Sequence, residues 1–198
     1  QVAKLGVGGW TSYQGLQQLQ RDIVPLAPKI VTVYYGWNDH WIGFGITDKS
    51  IARMRSPLFS LLEKSRIFQL AVKTWIVLSG DQDNAHPWRV SPEDFRKNLQ
   101  EIAATARTNG IIPVFLTAPS SHRKGREPEY LRMRHIKDLS QLIPLHQQYV
   151  SIVRETARQE KIPLCDLAQD FAALPAEDLT KIYFNRDGIH LALQGSEK

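Results

Sequence analysis

Lys29-Ile30-Val31-Thr32-Val33-Tyr34-Tyr35-Gly36-Trp37-Asn38-Asp39 is the stretch on which the fold turns. Its first seven residues form an apolar, β-branched run, the pattern of a strand buried within a parallel sheet. Gly36 then permits a turn at positive φ, and Asn38 can project its amide N–H groups into a cleft beyond the strand end. Taken alone, the Asn-Asp pair after a glycine equally suits an Asx turn that closes the strand.

Working outward, Ile111-Ile-Pro-Val-Phe-Leu-Thr117 and Ile162-Pro-Leu-Cys165 read as two more buried strands, and Gln1-Val-Ala3 is a shorter fourth candidate. Helical patterns separate them. Ser91-Pro92-Glu93-Asp94 has the serine of an N-cap, a proline at the first helical position and acids in the first turn; Phe95, Leu99, Ile102 and Ala106 continue it until Gly110 stops it. A second helix is predicted from about Leu139 to Glu160, with Pro144 in its first turns, and a third after Thr11-Ser12, with Leu16, Leu19 and Ile23 on one face. The stretch from Ile51 to Leu78 is helical in pattern, and within 41–90 it reads as an insertion or cap. Strands alternating with helices imply a doubly wound parallel sheet in one domain, 1–198, with ligands at the carboxyl ends of the strands.

Composition narrows the function classes. The 198 residues carry a formal net charge of +5, but six Lys/Arg against two Glu between His122 and Lys137 place +4 of it in one Pro/Gly-containing loop. A solvated loop is the first reading and an anionic substrate or surface the second, so the charge gives no case for nucleic acid. The lone Cys165 reads as a small hydrophobe on a buried strand and cannot form an internal disulfide. No apolar run approaches the ~18 residues of a membrane span. His86, His122, His135 and His146 lack ligand spacing, so no metal is expected and surface positions are the default. His40 has no assigned role. Trp37, Trp41, Phe44 and Trp88 are expected in core or lid packing before any pocket lining.

Chemistry concentrates in three places. In Asp187-Gly188-Ile189-His190 a carboxylate stands three residues ahead of an imidazole and can orient it as a general base; the bland alternative is an N-cap followed by a core histidine. Gly6-Val-Gly8-Gly9 fails the dinucleotide pattern because Thr11 stands where its third glycine belongs. A turn that presents the Gly9 N–H to a cleft, or one that needs only flexibility, fits better. The Gly36-to-Asp39 turn is the third.

Together Gly9 within Gly-Gly-Trp-Thr-Ser, Gly36-x-Asn38-Asp39 and Asp187-x-x-His190 resemble, in order, the second, third and fifth conserved blocks of the SGNH (GDSL) hydrolase family. The resemblance spans nearly the whole chain. It implies a three-layer α/β/α, flavodoxin-like fold and a cofactor-free serine esterase acting on a small-molecule, glycan or lipid ester. His190 would be the base, Asp187 its orienter, and Gly9 N–H and the Asn38 side chain the oxyanion donors. The family's first block, Gly-Asp-Ser with the nucleophile, is missing. Only five residues precede Gly6, Ser79-Gly80-Asp81 has the residues in the wrong order, and Ser12, Ser120 and Ser121 lack the context. The nucleophile and first strand are therefore expected upstream of residue 1, since an inner strand cannot be deleted without stranding backbone groups. The end at Gly195-Ser-Glu-Lys198 falls inside the expected last helix. An inactive glycan- or lipid-binding domain, or an enzyme moving acetyl groups on polysaccharide, are the alternatives, and no cellular address is legible.

Overall fold

In the computed structural model the described residues are 2–43, 47–54, 65–66, 70, 74, 88–132, 136 and 138–197. Strands β1 (Ile30–Tyr34), β2 (Ile112–Leu116) and β3 (Leu164–Cys165) pair in parallel in the order β1-β2-β3, with Ile30 opposite Ile112 and Phe115 opposite Leu164. This is the α/β class with a parallel sheet that the sequence implied, with three strands among the described residues. Pro113 sits in the middle strand without harm. Phe115 and Thr117 donate their N–H groups to Pro163 and Cys165, so the same row at Pro113 faces a point before β3 begins, where no donor is needed.

The helices follow their end signals. Helix α1 (Ser12–Gln18) starts at Thr11, whose N–H is bound by Gln14 Oε1 at 2.9 Å, and continues through π and 3-10 turns to Leu26. Helix α2 covers Asp48–Met54. Helix α3 (Pro92–Thr108) is capped by the Ser91 hydroxyl, which accepts from Asp94 N–H at 3.1 Å, and ends before Gly110 at φ +70°. Helix α4 (Leu142–Gln159) begins after a 3-10 turn at Leu139–Gln141; Pro144 falls in its first turn, where the missing N–H has no intrahelical partner to lose. Short helices α5 (Leu167–Ala172), α6 (Ala176–Asp178) and α7 (Leu193–Glu197) complete the described chain. Most of the expected cap, including Phe44, Ser79-Gly80-Asp81 and His86, lies outside the described residues, as does His135.

One sheet face makes the core. Val33 and Phe115 are buried against Leu16 of α1 and Leu19 of the π turn after it, Phe95 and Leu99 of α3, and Tyr149 and Val153 of α4, and full burial of such a side chain contributes roughly 1.5–3 kcal/mol. A second cluster gathers Phe171, Leu179 and Phe184. The other sheet face is open among the described residues: Ile30, Tyr34 and Ile112 are all exposed. Cys165 belongs to that open face, which corrects its expected burial. The fourth strand is also corrected. Val2 is 93% exposed and Val2-Ala3 forms no strand, because so short a run buries too little apolar surface to offset its ordering. The outer edge of β1 thus carries no partner among the described residues. Trp37 and Trp41 are buried, whereas Trp88 is exposed and bridges Ile42 at the surface. No described helix is long and apolar enough to cross a membrane.

Candidate active site

At the carboxyl end of β1, Gly36 takes φ +136°, as the turn reading required. Asp39 closes that turn. Its carboxylate is fully buried and accepts from Gly36 N–H at 3.0 Å and from Ser12 N–H at 2.8 Å, so it fastens the strand end to the first turn of α1. Asn38, one residue earlier, points its amide Nδ2 at the Trp10 carbonyl, 3.1 Å away, which brings it to the residue following Gly9.

The glycine turn is held from its other side by charge. Arg89 donates from Nη1 to the Gly9 carbonyl at 2.8 Å, engages Asp48 through Nε (3.3 Å) and Nη2 (3.0 Å), and reaches Gln14 Oε1 at 3.2 Å. Thr11 Oγ1 donates to the same Asp48 carboxylate at 2.8 Å. A forked guanidinium of this kind fixes orientation as well as position. Neither Arg89 nor Asp48 was singled out from sequence, and their separation by 41 positions hid the pairing.

Asp187 and His190 meet directly. His190 Nδ1 lies 2.7 Å from Asp187 Oδ2, and Asp187 Oδ1 accepts from the N–H groups of Ile189 (2.8 Å) and His190 (2.9 Å). Burial raises the Asp187 carboxyl, but those two backbone donors and the imidazole outweigh it and hold it below the usual carboxylate range. The Asp187 side chain is about one third exposed and the imidazole is 75% exposed. With Nδ1–H donated to the carboxylate, Nε2 is left as a bare proton acceptor.

The two halves are joined through a residue that the sequence reading left on the surface. His122 is half-buried; its Nε2–H donates to the Asp187 carbonyl at 2.7 Å, its Nδ1 meets Ser120 Oγ at 3.1 Å, and its ring stands edge-on to Trp37 at 5.6 Å. Ser121 N–H also donates to the Gly188 carbonyl at 3.1 Å. Gly188 is at φ +70°, and a Cβ there would come within 2.7 Å of His122 Nε2, so a side chain is excluded both by backbone and by space. Contacts therefore run from Asp187 through His122 to Trp37, the neighbour of Asn38. The one available signal was position: Ser120-Ser121-His122 follows β2 at the sheet's carboxyl edge.

The expected surface position of His146 is corrected as well, and its partner is His40. Both are buried; His146 stacks on Trp37 at 3.8 Å, donates from Nε2 to the Ala118 carbonyl (2.9 Å), and accepts at Nδ1 from His40 Nε2 (3.1 Å). Burial lowers the His146 imidazole to about 4 and raises the Asp39 carboxyl to about 6, in each case against hydrogen bonds that favour the charged form. The consequences for stability oppose one another. Asp39 contributes stability present below the ordinary 3.8 and lost as pH rises to about 6; His146 contributes stability present above 6.5 and lost as pH falls toward 4, each roughly 3 kcal/mol. Between pH 4 and 6 they cancel. Urea unfolding across that window should show stability falling with rising pH in His146→Phe and falling with declining pH in Asp39→Asn, by up to ~1.4 kcal/mol per pH unit; profiles parallel to the parent's would refute the pairing.

Ser12 Oγ is buried and accepts from Asn98 Nδ2 at 2.9 Å, and no serine hydroxyl among the described residues is hydrogen-bonded to His190. Nor do they include a group of three His, Cys, Asp or Glu placed to hold a metal ion.

An imidazole–carboxylate pair and a glycine turn thus accompany a parallel α/β sheet. The chain belongs to the GDSL-like lipase/acylhydrolase family, whose model matches residues 1–198. Its fold is similar to that of a GDSL-like lipase from Bacteroides thetaiotaomicron, with TM-score 0.57 and 19% identity over 97% of this chain and 68% of that one. It is also similar to a lipase/acylhydrolase from Enterococcus faecalis, with TM-score 0.55 and 16% identity over 96% of this chain and 66% of that one. An acetylxylan esterase from Geobacillus stearothermophilus matches with TM-score 0.55 and 14% identity over 99% of this chain and 67% of that one. The chain thus spans about two thirds of the length of these structures. No curated protein sequence matches it.

Proposed function

We propose that this chain is the greater part of a serine esterase that cleaves carboxylic esters through an acyl-enzyme intermediate. The observation that carries the reading is the 2.7 Å contact between His190 Nδ1 and Asp187 Oδ2, which fixes the tautomer and frees Nε2 to take a hydroxyl proton. Gly9 N–H and the second amide hydrogen of Asn38 are the donors assigned to the developing oxyanion. The nucleophilic serine is assigned to a segment preceding Gln1, and the outer edge of β1, which carries no partner among the described residues, with Ile30 and Tyr34 exposed beside it, supports a further strand there. Similarity to acetyl xylan esterases makes an acetylated sugar one substrate class to try first.

The full-length protein, treated with a fluorophosphonate and digested, should carry one adduct on a serine N-terminal to Gln1, and it should hydrolyse a short-chain aryl ester. Adduct formation elsewhere with activity retained would overturn the assignment of the nucleophile. Neither adduct nor turnover across a panel of esters would leave an inactive glycan- or lipid-binding domain of this fold.

A further inference from the structure

Beside the Asp187 loop lies a second feature that the esterase reading does not use. A cleft of about 190 Å³ opens between the segment after β2 and the segment around α6, floored by Ser121, His122 and Gly188 and rimmed by Arg123, Arg126 and Arg186. The three arginines come from two separate segments, Arg123 and Arg126 after β2 and Arg186 directly ahead of Asp187, so the fold, and not one basic run, gathers them.

Arg21, Arg89, Arg96, Arg107, Arg132 and Arg154 each hold a carboxylate within 4.0 Å. Arg123, Arg126 and Arg186, like Arg66 and Arg158, have no ion pair among the described residues, and what sets these three apart is that they line one cleft together. The acid at the rim, Glu177, is engaged by Lys181 at 3.1 Å. Both ring nitrogens of His122 are engaged, by the Asp187 carbonyl and by Ser120 Oγ, and burial lowers its imidazole. Three guanidinium groups facing one concavity repel each other unless an anion enters, and a concave wall focuses their field. Guanidinium forks match carboxylate and phosphate oxygens, which recommends an oxyanion over any neutral group.

We propose that this cleft is a specificity subsite for an oxyanionic group, carboxylate or phosphate, carried by the ester substrate. It lies against Gly188, next to the catalytic loop, so a ligand anchored there would extend toward His190. The inference rests on the esterase reading for its word "substrate" but not for the binding itself.

The test uses full-length protein and matched acetyl esters of a methyl glucoside, the corresponding glucuronoside and a sugar phosphate. The anionic esters should be preferred in kcat/KM by about 10-fold or more, through KM, and raising NaCl from about 0.05 M to 0.5 M should erase most of that preference. The stronger of the two anionic arms identifies the group. In Arg123→Ala/Arg126→Ala, and separately in Arg186→Ala, the preference should collapse while turnover of the neutral ester by the double variant stays at the parent's level. Equal use of neutral and anionic esters, or a preference indifferent to these arginines, would overturn the proposal and leave the esterase assignment intact. If no ester is turned over, titration with glucuronate or inorganic phosphate followed by amide shifts decides: shifts at Arg123, Arg126 and Gly188 that vanish in the arginine variants support the subsite, and their absence rejects it.

Discussion

Ester turnover by His190→Ala is expected to fall by about 10³ or more, with unfolding free energy within about 0.5 kcal/mol of the parent. The asymmetry follows from the geometry. The imidazole is 75% exposed and its side-chain partner among the described residues is Asp187, so its removal opens no cavity and strands no buried group. What disappears is the proton acceptor. Asp187→Asn should lose activity on a similar scale, because an amide facing Nδ1–H no longer enforces the tautomer that leaves Nε2 free. Here a stability cost of about 1 kcal/mol is expected too, since Asp187 Oδ1 also accepts the N–H groups of Ile189 and His190. Steady-state kinetics on an aryl ester with parallel thermal melts would check both; full turnover by His190→Ala would end the assignment of the pair.

Replacement of Asn38 by alanine should cost about 10²–10³ in kcat with little change in KM, the signature of a donor that acts only once negative charge has developed. One Nδ2 hydrogen is committed to the Trp10 carbonyl, so Asn38 also ties the strand turn to the glycine turn. Asn38→Asp separates the two duties. It preserves shape, removes every donor and sets a carboxylate against the Trp10 carbonyl, so it should lose at least as much rate as alanine. A variant in which KM rises and kcat holds would instead make Asn38 a ground-state contact.

Much of this was legible because local signals agreed with the tertiary outcome. The β-branched run Ile30–Tyr34 and the apolar run Ile112–Leu116 became strands within a residue of their expected ends, and the Ser91 cap with Pro92 fixed the start of α3. Asp187 and His190 were readable since three positions suffice to bring them together. The partners that position the turns were not. Arg89 and Gly9 are 80 residues apart, and His122 and Asp187 are 65 apart, so nothing in local periodicity reports them. His146 was misjudged because a histidine at helical spacing is silent about what covers it, here Trp37. Cys165 was misjudged because a short apolar run cannot reveal that, among the described residues, one face of its sheet is packed and the other open.

His122 lashes the loop bearing the imidazole to the aromatic cluster under β1, and that bond has a mechanical meaning. Groups exposed to water ordinarily wander, yet this pair sits on a segment tethered twice, at the Asp187 carbonyl by the His122 ring and at the Gly188 carbonyl by the Ser121 N–H, to the segment emerging from the middle of the sheet. Alignment of the exposed pair therefore rests on bracing and not on enclosure.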